Sequence, residues 1–192
     1  MNGMDFRLDR TWARALLVLG ACTLGGCVSA SKYNSMLAQQ QALESSLRAE
    51  IGADQVEIQQ LENGIRVRMS SDLLYREGSI ELTPAGRKAL DKVAPQLANS
   101  AAQSFQVDIV GNTDNVPIGP QLTSRYPTNW ELAGARAAVV LRYLQEQGVD
   151  PSRLEAVSNG EYHPIASNDS PGGRAKNRRT DVVLRPTANS AP

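Results

Sequence analysis

Apolar and polar residues alternate over Gln55-Val56-Glu57-Ile58-Gln59-Gln60-Leu61 and again over Ile65-Arg66-Val67-Arg68-Met69. A period of two marks a strand with one wet face, and Asn63-Gly64 between the runs is a tight-turn pair, so the two segments predict a hairpin. Thr83-Pro84 then supplies a cap and a first helical residue, opening a helix with Leu90, Val93 and Leu97 on its inner face. Phe105, Val107 and Ile109 alternate with Gln106 and Asp108 in a third strand. A second helix is predicted from about Asn129 to Gln147, where Gly148 stops it. Beyond it come a strand near Leu154 to Ser158, a short helix over Arg174 to Arg178, and a closing strand from Thr180 to Arg185. Polar residues at alternate strand positions leave one sheet face to water while helices cover the other. The predicted fold is α/β, a two-layer sandwich over residues 53–186, with no internal repeat and a disordered tail over residues 187–192.

Ahead of this domain, Ser31 to Glu50 is rich in Gln, Ser, Ala and Leu, with Met36, Leu43, Leu47 and Ile51 on one helical stripe and Gln40 in the intermediate place. It predicts an amphipathic helix of roughly 30 Å, too short and too polar at Gln40 for a coiled coil. Two readings stay open: a spacer lifting the domain off a membrane, or a helix folding back onto the domain. Further upstream Arg7, Arg10 and Arg14 precede an uncharged, largely apolar run from Ala15 to Gly26, and the next charge is Lys32. A basic start, a short apolar core and small residues describe a secretory signal; Asp5 and Asp9 dilute the basic region and point to Met4 as an alternative start. Leu24-Gly25-Gly26-Cys27 resembles the lipobox of bacterial lipoproteins. That resemblance implies cleavage after residue 26, acylation of Cys27, and a lipidated N-terminus with a helical tether over residues 27–52. Leu19-Gly20-Ala21-Cys22 fits the same pattern with a shorter apolar core, and an uncleaved signal anchor is the plainer reading of the segment. No Asp follows Cys27, which in enteric lipoproteins implies the outer membrane, facing the periplasm.

Composition narrows the chemistry. The chain has 192 residues, 20 Lys and Arg against 20 Asp and Glu, one His and two Cys. Balanced charge excludes a backbone-reading nucleic-acid binder. One His and two Cys argue against a His-based triad, a zinc site or a disulfide framework, so neither a metal nor a cofactor is expected. Loss of residues 1–26 removes three Arg and two Asp, leaving 17 basic and 18 acidic residues. Without a polybasic patch, membrane attachment would rest on the acyl chains of Cys27.

Gly111-Asn112-Thr113-Asp114 follows directly on the third strand, which puts Asp114 at the strand's carboxyl end, where ligand crevices form in open α/β layers. On the second helix, at about 100° per residue, Arg136 projects near Asn129 and Tyr143 and close to Leu132, Val139 and Val140. A guanidinium on an apolar stripe, with no acid three or four residues away, must find a carboxylate elsewhere. Asp114 is the natural candidate, reached directly as an ion pair or across a bound ligand. A carboxylate beside a guanidinium also suits a free amino-acid zwitterion, because Arg presents a planar fork to the carboxylate while Asp accepts ammonium hydrogens. Neither group suits proton transfer, so no catalytic residue is assigned.

Gly111-Asn112-Thr113-Asp114, then Asn129-Trp130-Glu131-Leu132-Ala133-Gly134-Ala135-Arg136-Ala137, Gly160-Glu161, and Gly173-Arg174-Ala175-Lys176-Asn177-Arg178-Arg179 together resemble the OmpA/MotB-type C-terminal domain over about residues 65–185. The resemblance implies a mixed sheet with helices on one face and noncovalent binding of peptidoglycan through meso-diaminopimelate of the stem peptide. Carried over by position, Asp114 would hold the ammonium group and Arg136 the carboxylate. Asn129 would line the pocket, backbone near Leu74 and Tyr75 would form its other wall, and Arg178 would contribute at the margin while its segment braces the domain. Asn112 and Ala133 replace the family's usual His and Ser. The 22-residue step from Asp114 to Arg136 is nearer the MotB-type and YfiB-type branch, which leaves room for a periplasmic protein partner and for a regulatory lipoprotein that captures one. His163, before Pro164, reads as solvent-exposed, and Trp130 as a packing anchor rather than a sugar platform.

Overall fold

The computed structural model describes residues 24–99 and 105–186. Most of the expected signal, the alternative lipidation residue Cys22 and the tail at 187–192 lie outside the described residues. Cys27 falls within the first helix, α1 (Leu24–Ser46). A first compact unit ends at Leu37, and a second begins at Ala38 and holds the rest of the chain. In this second unit the last turns of α1 and the short α2 (Arg48–Gly52) are packed rather than free. Leu43 and Leu47 are fully buried, the Gln39 side chain donates to the Gln96 carbonyl at 3.0 Å, and Lys92 pairs with Glu50 at 2.7 Å. Residues 38–52 therefore take the fold-back arrangement.

The hairpin forms from β1 (Val56–Leu61) and β2 (Gly64–Ser70), but its turn sits one residue earlier than predicted, since Leu61 pairs with Gly64. Gly64 is needed for room, not for a left-handed turn: a Cβ there would lie 2.0 Å from the Leu184 carbonyl oxygen. A short helix that the periodicity did not show, α3 (Ser71–Leu74), is capped by Ser70, whose hydroxyl accepts from Leu73 N. Thr83 caps α4 (Pro84–Ala98) by accepting from Gly86 N at 2.8 Å. Leu90, Val93 and Leu97 on this helix are fully buried, each worth about 1.5–3 kcal/mol of burial.

Strand β3 (Phe105–Asn112) leads through the short α5 (Pro120–Thr123) into α6 (Asn129–Glu146). Then come a 3-10 turn at Pro151–Arg153, β4 (Leu154–Gly160), α7 (Pro171–Asn177) and β5 (Arg179–Pro186). The α7 helix starts three residues earlier than predicted because Ser170 caps it and Pro171 opens it, which offsets the low helix propensity of Gly172 and Gly173. The sheet order is β1-β2-β5-β3-β4, with β3 and β4 parallel and the other pairs antiparallel. One face carries Val67, Met69, Val107, Ile109, Val182 and Leu184, all fully buried. The opposite face is a charge ladder: Arg68 bridges Glu57 and Asp181, Arg179 pairs with Asp181 at 3.2 Å, and Arg185 joins Asp108 and Glu155. That face is not uniformly wet. Arg179 is buried where its guanidinium donates to the carbonyls of Asn177 and His163, and this burial pushes its pKa below the ordinary arginine value against the pull of Asp181.

Candidate functional site

The site gathers at the carboxyl end of β3, where three chain segments meet. Asp114 follows β3 and is buried. Its Oδ1 accepts from Val116 N at 3.1 Å, and its Oδ2 accepts from Arg178 Nη1 at 2.9 Å. The direct Asp114–Arg136 ion pair left open by the sequence is absent; Arg178 takes that place and also reaches Asp72 at 3.8 Å. Arg178 is thus central to the cluster rather than marginal. It is positioned by α7 on one side and by α3 on the other, where Ser71 N donates to the Arg178 carbonyl at 2.9 Å.

Arg136 reaches the cluster from α6. Thr128 and Glu131 close a capping box at the start of that helix, which ties its first turn and fixes its entry. The buried stripe of α6 centres on Leu132, Ala133, Ala137, Val140 and Leu144, so Arg136 stands at its edge, half-buried, and not in its middle. The two alanines account for this: a Cβ on Gly111 would lie 2.1 Å from the Ala133 carbonyl oxygen, so α6 and β3 touch backbone to backbone and the small residues face the sheet. Arg136 lies over the Tyr75 ring at 5.0 Å from its centroid, and its Nη2 donates to the Ser79 carbonyl at 3.3 Å. Its Nε is buried without a partner, and among the described residues no carboxylate approaches it as an ion pair. Burial lowers the Arg136 pKa from its usual value, with Tyr75 opposing, Arg178 adding to the drop, and Asp114 and Asp72 opposing it in turn. Arg136, Arg178, Asp114 and Asp72 thus form one neighbourhood of four charged groups.

Tyr75 forms the floor beneath Arg136. Its hydroxyl donates to the Arg136 carbonyl at 3.1 Å and shares a 2.9 Å bond with the Thr180 hydroxyl. Burial raises its pKa to about 12 despite Thr180 and Arg136. Leu74, also buried, accepts at its carbonyl from Thr83 N at 2.9 Å. Asn129 is buried, and its amide donates to the carbonyls of Asp114 and Val116 at 3.3 and 3.2 Å and to the Glu161 carboxylate. It clamps the loop after β3 to the start of α6. The Asn112 side chain donates to the Val110 carbonyl at 3.1 Å and accepts from Asn159 at 3.0 Å. Buried hydroxyls of Ser71 and Thr113, beside Asp72 and Asp114, have no partner.

The remaining candidates separate cleanly. His163 is exposed, as its sequence context predicts. Arg174 braces the preceding loop through the Asn168 carbonyl at 2.8 Å. Trp130 is 45% exposed and stacked on Tyr162, which is 62% exposed. Glu161, through Asn129, and Ser79, through Arg136, join the site from outside the expected residues; only the Gly160-Glu161 pair carried a hint. Among the described residues no three His, Cys, Asp or Glu side chains are grouped to hold a metal. No helix of the described residues is long and apolar enough to cross a membrane.

The OmpA family model matches residues 74–178, which hold every charged group of this cluster except Asp72. The chain belongs to the OmpA family. Outer membrane protein A of Bordetella avium is 37% identical over 119 residues, covering 62% of this chain and 57% of that protein. The probable lipoprotein YiaD of Escherichia coli is 32% identical over 143 residues, covering 74% and 61%. The chain thus spans only about three-fifths of the length of these two curated relatives. Among solved structures, the cell wall anchor of the T6SS from Pseudomonas aeruginosa superposes with a TM-score of 0.67 at 30% identity, covering 76% of this chain and 97% of that one. The OmpA-family fold, a mixed five-stranded sheet with helices, is therefore shared along nearly all of that structure.

Proposed function

We propose that this OmpA-family chain is a non-catalytic, peptidoglycan-binding lipoprotein of the outer membrane, anchored through acylated Cys27 and facing the periplasm. Its ligand is the free zwitterionic end of meso-diaminopimelate in the stem peptide. Arg136 receives the carboxylate and Asp114 the ammonium group, with Arg178 orienting the Asp114 carboxylate and Asn129 holding the loop that carries it. Backbone at Leu74 and Tyr75 closes the pocket. The observation that carries this reading is Arg136, a half-buried guanidinium with an unpartnered Nε and no carboxylate of its own. A cation held in that state, with one carbonyl and an aromatic face, gains from a ligand anion that completes it. The likeness to a cell wall anchor and to a probable lipoprotein points the same way.

The test is calorimetric titration of the full chain with a stem peptide containing diaminopimelate and with its lysine counterpart, alongside retention on purified peptidoglycan. The lysine form lacks the second carboxylate and leaves Arg136 unsatisfied, so its affinity is expected to fall by at least tenfold. Arg136→Ala and Asp114→Ala are expected to lose binding while keeping the circular dichroism of the parent. Undiminished binding by both variants rejects the site.

A further inference from the structure

Among the described residues few large apolar side chains are strongly exposed, and three of them, Val116, Trp130 and Tyr162, lie at one end of the sheet beside Asn129. The Trp130 and Tyr162 rings stack at 5.2 Å between centroids and 24° between planes. The indole also lies against Gly160, where a Cβ would meet Cδ2 at 3.3 Å. The two rings are therefore fixed by packing although much of their area faces solvent, and they border a cavity of about 300 Å³ lined also by Pro117, Pro127, Asn129 and Glu161. That volume is at the small end for ligand sites, suited to a single ring rather than a drug-sized molecule.

We infer that this cavity is a saccharide subsite, taking one N-acetylhexosamine unit of the glycan strand. The chemistry selects a neutral ring with one apolar face. Aromatic faces carry negative charge density and attract the weakly positive C–H face of a pyranose. Glu161 binds Asn129 through Oε2, which leaves Oε1 to accept from a hydroxyl or an acetamide N–H. No cation lines the cavity, so a phosphate or free carboxylate would meet Glu161 unscreened. Continuity selects the glycan. The Asn129 amide touches the Asp114 carbonyl and the Glu161 carboxylate at once, so the peptide site and the aromatic cavity are one side chain apart. Two residues of stem peptide between diaminopimelate and the sugar span on the order of 10 Å.

The inference rests on the stem-peptide reading for the identity of the strand, and the experiment separates the two. The full chain is titrated with the free diaminopimelate tetrapeptide, with the same tetrapeptide on its N-acetylglucosaminyl-N-acetylmuramyl disaccharide, and with peptide-free glycan oligosaccharide. The disaccharide is expected to tighten binding about tenfold over the free peptide. Tyr162→Ala, at an exposed position, and Trp130→Ala should both abolish that gain and leave free-peptide binding unchanged. Equal affinity of the two peptide ligands for the parent chain, or a gain retained in Tyr162→Ala, overturns the saccharide subsite. If the free peptide fails to bind while the oligosaccharide binds the parent and not Tyr162→Ala, the stem-peptide reading falls and the saccharide subsite stands.

Discussion

Replacing Gly111 by Ala tests whether the contact between β3 and α6 sets the spacing of the charged groups. The added Cβ would sit 2.1 Å from the Ala133 carbonyl oxygen, against an ordinary contact of 3.4–4 Å. Relief requires the helix and strand to part by more than 1 Å, and neither atom belongs to a flexible side chain. Overpacking of this kind costs about 1–3 kcal/mol when side chains can yield; with backbone on one side, about 3 kcal/mol is the reasonable magnitude. For a unit of this size that lowers Tm by roughly 6–12 °C. Asp114 lies three residues after Gly111 and Arg136 three after Ala133, so the same displacement separates the carboxylate from the guanidinium. Thermal unfolding and peptide titration of Gly111→Ala should therefore fall together, with affinity reduced at a temperature where the variant is still folded. Parental affinity in a variant whose Tm has dropped would show that the contact supports the fold without setting the site. A parental Tm would refute the packing argument itself.

Tyr75→Phe removes the hydroxyl that satisfies Thr180 and the Arg136 carbonyl; urea unfolding should show a loss of about 1–2 kcal/mol, while the ring beneath Arg136 remains and peptide affinity falls less than threefold. Arg153→Met leaves the carbonyls of Leu97 and Phe105 without donors that now lie at 2.7 and 2.8 Å; the expected cost is about 2–4 kcal/mol, read as a lower denaturation midpoint with unchanged peptide affinity at 20 °C. Burial opposes ionisation of Glu50, but the Lys92 ammonium outweighs it and holds the carboxyl below its ordinary value of 4.5. A depressed value means the pair stabilises fully above that pH and is lost as pH falls through the folded value; since both groups are partly exposed, the contribution is at most about 1 kcal/mol. Glu50→Gln should be less stable than the parent at pH 7, with the difference shrinking as pH falls below 4.5, and an identical pH dependence in the two chains would remove Glu50 as its source.

Legibility from sequence followed the range of the interaction. Alternation at Val56–Leu61 and the Thr83-Pro84 cap are local signals, and the corresponding elements formed where expected. Gly64 misled because its reason is a strand 120 residues away, the Leu184 carbonyl, and not the turn it adjoins. Arg136 was recognisable as a cation needing an anion, since helical spacing shows what is absent at three and four residues. That Asp114 is paired with Arg178 was not recognisable, because nothing local fixes a contact 64 residues apart. Trp130 packs on Gly160 and Tyr162 as an anchor would, but its 45% exposure was not legible, because it depends on where the Gly160–Tyr162 turn lies.

The two charges of the proposed site are hosted unequally, which predicts that the carboxylate end of a bound zwitterion matters more. Asp114 already has a guanidinium at 2.9 Å and a backbone N–H at 3.1 Å, so an incoming ammonium shares a carboxylate that is in part neutralised. Arg136 has only a carbonyl at 3.3 Å and the face of Tyr75, neither of which carries a formal charge at neutral pH. An incoming carboxylate displaces no competing anion there, and partial burial strengthens the new pair relative to one formed in water. Arg178 adds to this asymmetry: it lies close enough to depress the Arg136 pKa, so two guanidiniums face a space with one buried acid. On the proposed reading the cluster would act as an anion receptor with one buried acid beside it, and discrimination between diaminopimelate and lysine is expected to follow from the carboxylate, the one feature by which those two side chains differ.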